Sequence, residues 1–84
     1  MTREAPDVGF RIVAEAIARQ FNIDANAVGP ATVAMDVDGW DSFSNGLLIM
    51  ALEEAVGRPL PFDELMASEN VGEMADVVAR LLAS

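Results

Sequence analysis

Cysteine, histidine and lysine are all missing from this 84-residue chain. Without cysteine there is no disulfide framework, no thiolate metal ligand and no thiol nucleophile. Without histidine, neither a Ser-His-Asp triad nor a histidine-based metal site can be built. Aromatic residues make up 6% against 52% apolar residues, so Ala, Leu, Val, Ile and Met must supply the core, and these mostly favour helix. Long apolar runs are missing too. The longest, "GLLIMAL", is followed at once by Glu53 and Glu54 and falls far short of the roughly 18 residues that span a bilayer. The opening "MTREAPDVGF" has no signal-peptide apolar region. The expectation is a soluble, cytoplasmic protein with no membrane insertion.

The charge is strongly one-sided. Fourteen acidic residues face five arginines, for a net charge of −9. Such a field repels nucleic acid and anionic membranes. It also speeds encounter with basic protein surfaces, although acidity can equally serve only to keep an apolar domain soluble.

There is no internal repeat, and 84 residues suit one small domain. Phe10, Val13, Ile17 and Phe21 recur at helical spacing, which predicts a first helix over Val8 to Phe21, ended by Asn22. A long connection from Ile23 to Asp41 follows, with Gly29-Pro30, Asn26, Gly39 and four aspartates as turn residues. Ile23, Val28, Val33, Met35 and Val37 are its candidate anchors to the core. The second helix is expected over Ser42 to Val56, capped by Asp41 or Ser42 and stopped by Gly57. Pro59 and Pro61 impose an extended link. "FDELMA" reads as a short helix capped by Asp63, and Asn70 opens a last helix to Leu82, with Val71, Met74, Val78, Leu81 and Leu82 on one side. No strand pair is evident. The fold class is all-α: a small bundle of three longer helices plus one short helix, with a long loop between the first and second helices.

The second helix has two apolar faces. At about 100° per residue, Leu48, Leu52, Ala55 and Val56 cluster with Ile49 on one side. Phe43, Gly46, Leu47 and Met50 gather on the other, with Glu54 beside them and Glu53 at the flank. One helix of a small bundle seldom buries both sides, so the second strip is either a docking surface or packed under the long loop or against another helix. Ser42 stands at the helix start, where unpaired N–H groups and the macrodipole favour an anion. Capping is the ordinary reason for such a serine. As a nucleophile it has no histidine to activate it; as the bearer of a phosphate ester it is well placed. A calcium-loop reading of "AMDVDGWDSFSN" fails at two ligands: aligning Gly39 to the required glycine puts Ala34 at the first position and Asn45 where a bidentate Glu belongs. Trp40 either packs beside the second helix to hold the loop or lies near Ser42, where it would touch a group attached there or a partner.

The segment "GWDSFSNGLLIMALEEAVGRPLP" resembles the phosphopantetheine attachment segment of acyl carrier proteins. The family pattern opens the second helix with Asp-Ser-Leu and closes its apolar run with Leu-Glu-Glu. Here these stand as Asp41-Ser42-Phe43 and Leu52-Glu53-Glu54, after Gly39-Trp40, and the order of elements matches over nearly the whole chain. The resemblance implies that Ser42, with Asp41 beside it, carries 4′-phosphopantetheine delivered from coenzyme A by a phosphopantetheinyl transferase. Acyl or aminoacyl groups would ride on the arm as thioesters. The chain would be a monomeric carrier, not an enzyme, with no bound metal. It would be served by an acyl- or aminoacyl-loading ligase or synthase and by a downstream acyltransferase. Partners of this family read the second helix, so Phe43, Leu47, Met50, Glu53 and Glu54 are the implied contacts. Phe43 replaces the usual Leu, and Ser44, Gly46 and Leu47 leave the helix start less acidic and more apolar than in typical fatty-acid-synthesis carriers. That points to a dedicated carrier in polyketide, lipid or aminoacyl transfer. The rival reading is an unmodified helical interaction domain that uses the same strip.

Overall fold

In a computed structural model, residues 4–83 are described, with side chains from Val8 onward. Four α-helices follow one another: α1 Glu4–Phe21, α2 Ser42–Val56, α3 Phe62–Met66 and α4 Val71–Ala83. Helix α1 begins before Pro6, not at Val8. Proline lacks an N–H, but in the first helical turn that group has no intrahelical acceptor, so nothing is lost there. At the other end Asn22 adopts a left-handed φ of 58°, and the Ile23 N–H turns back to the Ala18 carbonyl at 3.0 Å. Asparagine is among the few non-glycine residues that tolerate this conformation.

The most extensive helix contact is α1 against α4, and α2 packs on α1 and α3. Val13, Ile17, Leu48, Ile49, Leu52, Leu65, Val71 and Val78 are completely buried between them. The inward side of α2 follows its period with one exception: Leu48, Ile49 and Leu52 are buried and Val56 half-buried, but Ala55 is exposed. In α4 the buried set is Val71, Met74, Ala75, Val77 and Val78, whereas Leu82 is 39% exposed.

The α1–α2 connection contains two 3₁₀ turns, Ala25–Ala27 and Ala34–Asp36. Val28 and Val37 anchor it in the core as expected. Met35 and Ile23 do not: Met35 lies on the outer side of the second turn, 95% exposed, and Ile23 is 37% exposed. Two aspartates of this segment, Asp24 and Asp36, hold the loop itself. Asp24 accepts the Asn26 N–H at 2.9 Å, and Asp36 accepts the Val33 N–H at 3.1 Å.

The same loop caps α4. The Val71 N–H donates to the Thr32 carbonyl at 2.9 Å and the Gly72 N–H to the Pro30 carbonyl at 2.8 Å. The Asn70 side chain takes the Glu73 N–H at 2.9 Å, so the orphan donors of this helix start are satisfied. Helix α3 has no side-chain cap. Pro61 occupies the cap position that Asp63 was expected to fill, and Asp63 falls inside the first turn, where its charge still opposes the helix dipole. No helix among the described residues is long and apolar enough to cross a membrane.

Candidate functional site

The start of α2 is built by two residues that flank Ser42. Asp41 stands in extended backbone at the cap position, and its Oδ1 accepts the Ser44 N–H at 2.9 Å. In return the Ser44 Oγ accepts the Asp41 N–H at 2.8 Å, which closes a reciprocal capping box. The Ser44 hydroxyl also lies 2.7 Å from the Gly39 carbonyl and 3.0 Å from Asp41 Oδ1, and it shares its one proton between them. The Ser44 N–H and then the Ser44 hydroxyl hold the Asp41 carboxyl below the usual carboxylate range. Of the two candidates for the cap, Asp41 takes it. Ser42 becomes the first helical residue; it is exposed, and its hydroxyl makes no hydrogen bond among the described residues. Because Asp41 already occupies the Ser44 N–H, the anion cradle anticipated at Ser42 is narrower than the bare helix end offers.

Behind this cap the loop is locked to the helices. The Trp40 ring stacks on Phe21 with centroids 5.5 Å apart, and its Nε1–H donates to Asn45 Oδ1 at 3.0 Å. The Asn45 amide reaches on to the Met66 sulfur at 3.4 Å. Gln20 of α1 donates to the Ser44 carbonyl at 2.8 Å. These bonds tie α1, the loop, α2 and α3 around Ser42. Trp40 anchors the loop, half-buried and packed against the core cluster, and it also lines the space beside Ser42. Next to Ser42 opens a cleft of about 300 Å³, walled by Ala34, Trp40, Asn45, Met66, Glu69 and Met74. Its walls come from four separate parts of the chain, so no local motif announces it.

The outward strip of α2 does not pack under the loop. Phe43 is 76% exposed, Met50 59% and Leu47 43%. Phe62 of α3, 46% exposed, joins them; its ring lies 3.8 Å from where a Cβ on Gly46 would stand. Sequence spacing gave no hint of Phe62, because it belongs to another element. The two acidic residues at the helix end differ. Glu54 is exposed, whereas Glu53 is half-buried and its Oε2 accepts the Leu60 N–H at 3.0 Å, which holds the proline link against α2. No group of three or more acidic side chains converges on a metal-sized site among the described residues.

An exposed serine, one residue inside a capped helix and beside an acidic cap, is the setting in which the comparisons with known proteins bear. Residues 11–78 match the family model described as phosphopantetheine attachment site. The chain is also similar to the acyl carrier proteins of Helicobacter pylori strains G27 and HPAG1. Each is 35% identical over 69 residues, covering 82% of this chain and 88% of the relative. The chain belongs to the acyl carrier protein family. It is a carrier, not an enzyme, and its cofactor is covalently attached 4′-phosphopantetheine. The residues present fit that group: a hydroxyl that no other side chain holds, on a rigid helix start, open to an incoming enzyme.

Proposed function

We propose that Ser42 is the attachment point and that the carrier holds acyl or aminoacyl groups as thioesters for delivery to partner enzymes. The observation that supports this most is the contrast between two neighbouring serines. The Ser44 hydroxyl is consumed by the cap, while that of Ser42 is exposed and unheld. In the loading step the Ser42 Oγ forms a bond to the phosphorus next to the pantetheine of coenzyme A. The pyrophosphate P–O bond breaks, and the nucleotide part leaves. The chain has no histidine to take the serine proton, and a base on the transferase would accept it. Bound at Ser42, the group supplies the thiol that the sequence does not contain.

The intact mass after coexpression with a broad-specificity phosphopantetheinyl transferase tests the reading. The wild type and Ser44→Ala should gain the phosphopantetheine mass, and Ser42→Ala should not. A gain that persists in Ser42→Ala would place the attachment elsewhere.

For docking, we propose the strip of Phe43, Leu47 and Met50, extended by Phe62 and flanked by Glu54. Their exposure, and the apolar character of a helix that has already buried its other side, support it. Glu53 belongs to the same surface, but its carboxylate also has the structural task of holding Leu60. The transferase, a loading ligase or synthase and a downstream acyltransferase would meet this one face in turn.

A further inference from the structure

Two kinds of bond hold the first turn of α2, and they do different things. The capping box of Asp41 and Ser44 lies within the turn. It fixes the turn's shape but not its place in the bundle, which is set by ties to other elements. Resting on Ser42 as the attachment point, we propose that Gln20 of α1 is a positioning residue for the modification: through the Ser44 carbonyl it holds the start of α2 so that the Ser42 hydroxyl meets the incoming phosphorus.

Helix α1 is the firm side of this contact. Val13 and Ile17 are fully buried, and Gln20 follows Ile17 by three residues, half-buried. Its Nε2 donates to the Ser44 carbonyl at 2.8 Å. A helical carbonyl gives one lone pair to the N–H four residues on, and its second is open to a side chain. The Gln20 bond therefore adds to the helix ladder without replacing any part of it. Packing does less here. Ile12 and Ala16 of α1 and Ala51 and Ala55 of α2 border an open groove of about 480 Å³, which Gln20 also lines. Short alanine side chains do not interlock across such a gap, so a directional bond joins the two helices on this side.

A second route reaches the same turn. Phe21, next to Gln20 in the chain, stacks on Trp40, and Trp40 Nε1–H donates to Asn45 Oδ1 at 3.0 Å. Two consecutive residues of α1 thus hold Ser44 directly and Asn45 through the loop, and neither route uses the Ser42 hydroxyl. That is a free nucleophile on fixed backbone, which suits a serine whose base comes from another protein. In loading, the Ser42 Oγ bonds to phosphorus as the pyrophosphate P–O bond breaks, and the serine proton passes to the transferase base. A displacement of about 1 Å at reacting atoms can cost on the order of 100-fold in rate. Losing the Gln20 bond would loosen that placement and leave the strip of Phe43, Leu47, Met50 and Phe62 as exposed as before.

The test follows modification in single turnover by intact mass, with a broad-specificity phosphopantetheinyl transferase in excess over the carrier and varied in concentration. This separates the rate at saturation from the transferase concentration that gives half of it. Gln20→Met and Gln20→Glu keep the side-chain length and remove the donor at neutral pH, and Gln20→Arg restores one. All are compared at high salt, where the changes of charge are screened. Gln20→Met and Gln20→Glu should lower the saturating rate about tenfold with the half-saturating concentration unchanged, and Gln20→Arg should recover most of the loss. Thermal melting should show every variant folded at the assay temperature. An unchanged saturating rate in Gln20→Met and Gln20→Glu would overturn the proposal. So would a loss confined to the half-saturating concentration, which is a docking effect, or a loss that Gln20→Arg does not relieve. Melting of both donor-free variants below the assay temperature would assign Gln20 to stability and overturn it as well. A wild type that takes no phosphopantetheine, or a Ser42→Ala variant that does, contradicts the attachment reading instead.

Discussion

One hydroxyl separates the roles of Ser42 and Ser44. Ser44 closes the capping box with Asp41 and reaches the Gly39 carbonyl. Replacing it with alanine should cost about 1 kcal/mol of stability, read as a lower urea midpoint, while the phosphopantetheine mass gain survives. The Asp-x-x-Ser spacing from Asp41 to Ser44 would have announced this pair, since it approximates the capping-box pattern. Asp41 adds a pH signature. Its carboxyl titrates lower when folded because the Ser44 N–H and hydroxyl favour the charged form. Its stabilisation is therefore fully present above the unfolded carboxylate value of about 3.9 and is lost as pH falls through the lower folded value. The group is solvent-exposed, so the effect is small. The stability difference between wild type and Asp41→Asn should be greatest near neutral pH and shrink on acidification. Equal pH slopes in the two proteins would contradict the assignment of the cap to Asp41.

At the scale of elements, the bundle depends on how closely α1 approaches α4. A Cβ on Gly9 would stand 2.8 Å from the Ala75 carbonyl oxygen and 3.0 Å from the Ala79 Cβ, and backbone cannot yield as a flexible side chain can. Gly9→Ala should force the helices apart at a cost of about 1–3 kcal/mol. For a domain of this size, that means a melting temperature lower by about 4–8 °C per kcal/mol. An unchanged melting temperature would show that the two helices re-seat freely. The end of α2 follows local rules: Gly57 takes a left-handed φ of 81° and its N–H bonds to the Glu53 carbonyl at 2.8 Å. The surface pair Arg80–Glu64, at 2.8 Å with both side chains about half exposed, adds little by comparison.

At the scale of the whole molecule, the balance of charge and apolar surface sets how partners arrive. The net charge of −9 promotes encounter with basic surfaces, whereas the proposed strip of Phe43, Leu47, Met50 and Phe62 would supply contact that salt does not screen. Glu54→Lys should slow modification by the transferase at low salt, with the difference fading at high salt. Phe43→Ala and Phe62→Ala should each lower kcat/KM for a docking enzyme by about fivefold or more at any salt, as loss of an aromatic anchor does. A Phe62→Ala variant with unaltered kinetics would confine the docking surface to α2.

Helical class, the boundaries at Asn22, Gly57 and Asn70, the choice of Asp41 or Ser42 as cap, and the presence of a second apolar face with Phe43, Leu47 and Met50 were all readable from residue order. Each depends on neighbours within about four positions, where helical period and capping chemistry act. The start of α1 ahead of Pro6 was missed because proline's position inside the first turn, not its presence, governs the outcome. Which loop residues enter the core was not readable: alternation along the chain does not say that a 3₁₀ turn rotates Met35 outward while Val37 enters the core. Phe62 beside Gly46, Glu53 holding Leu60, the loop carbonyls that cap α4 and the cleft next to Ser42 were decided by packing. Each joins residues from different elements or across the proline link, and only the folded arrangement of the helices brings them together.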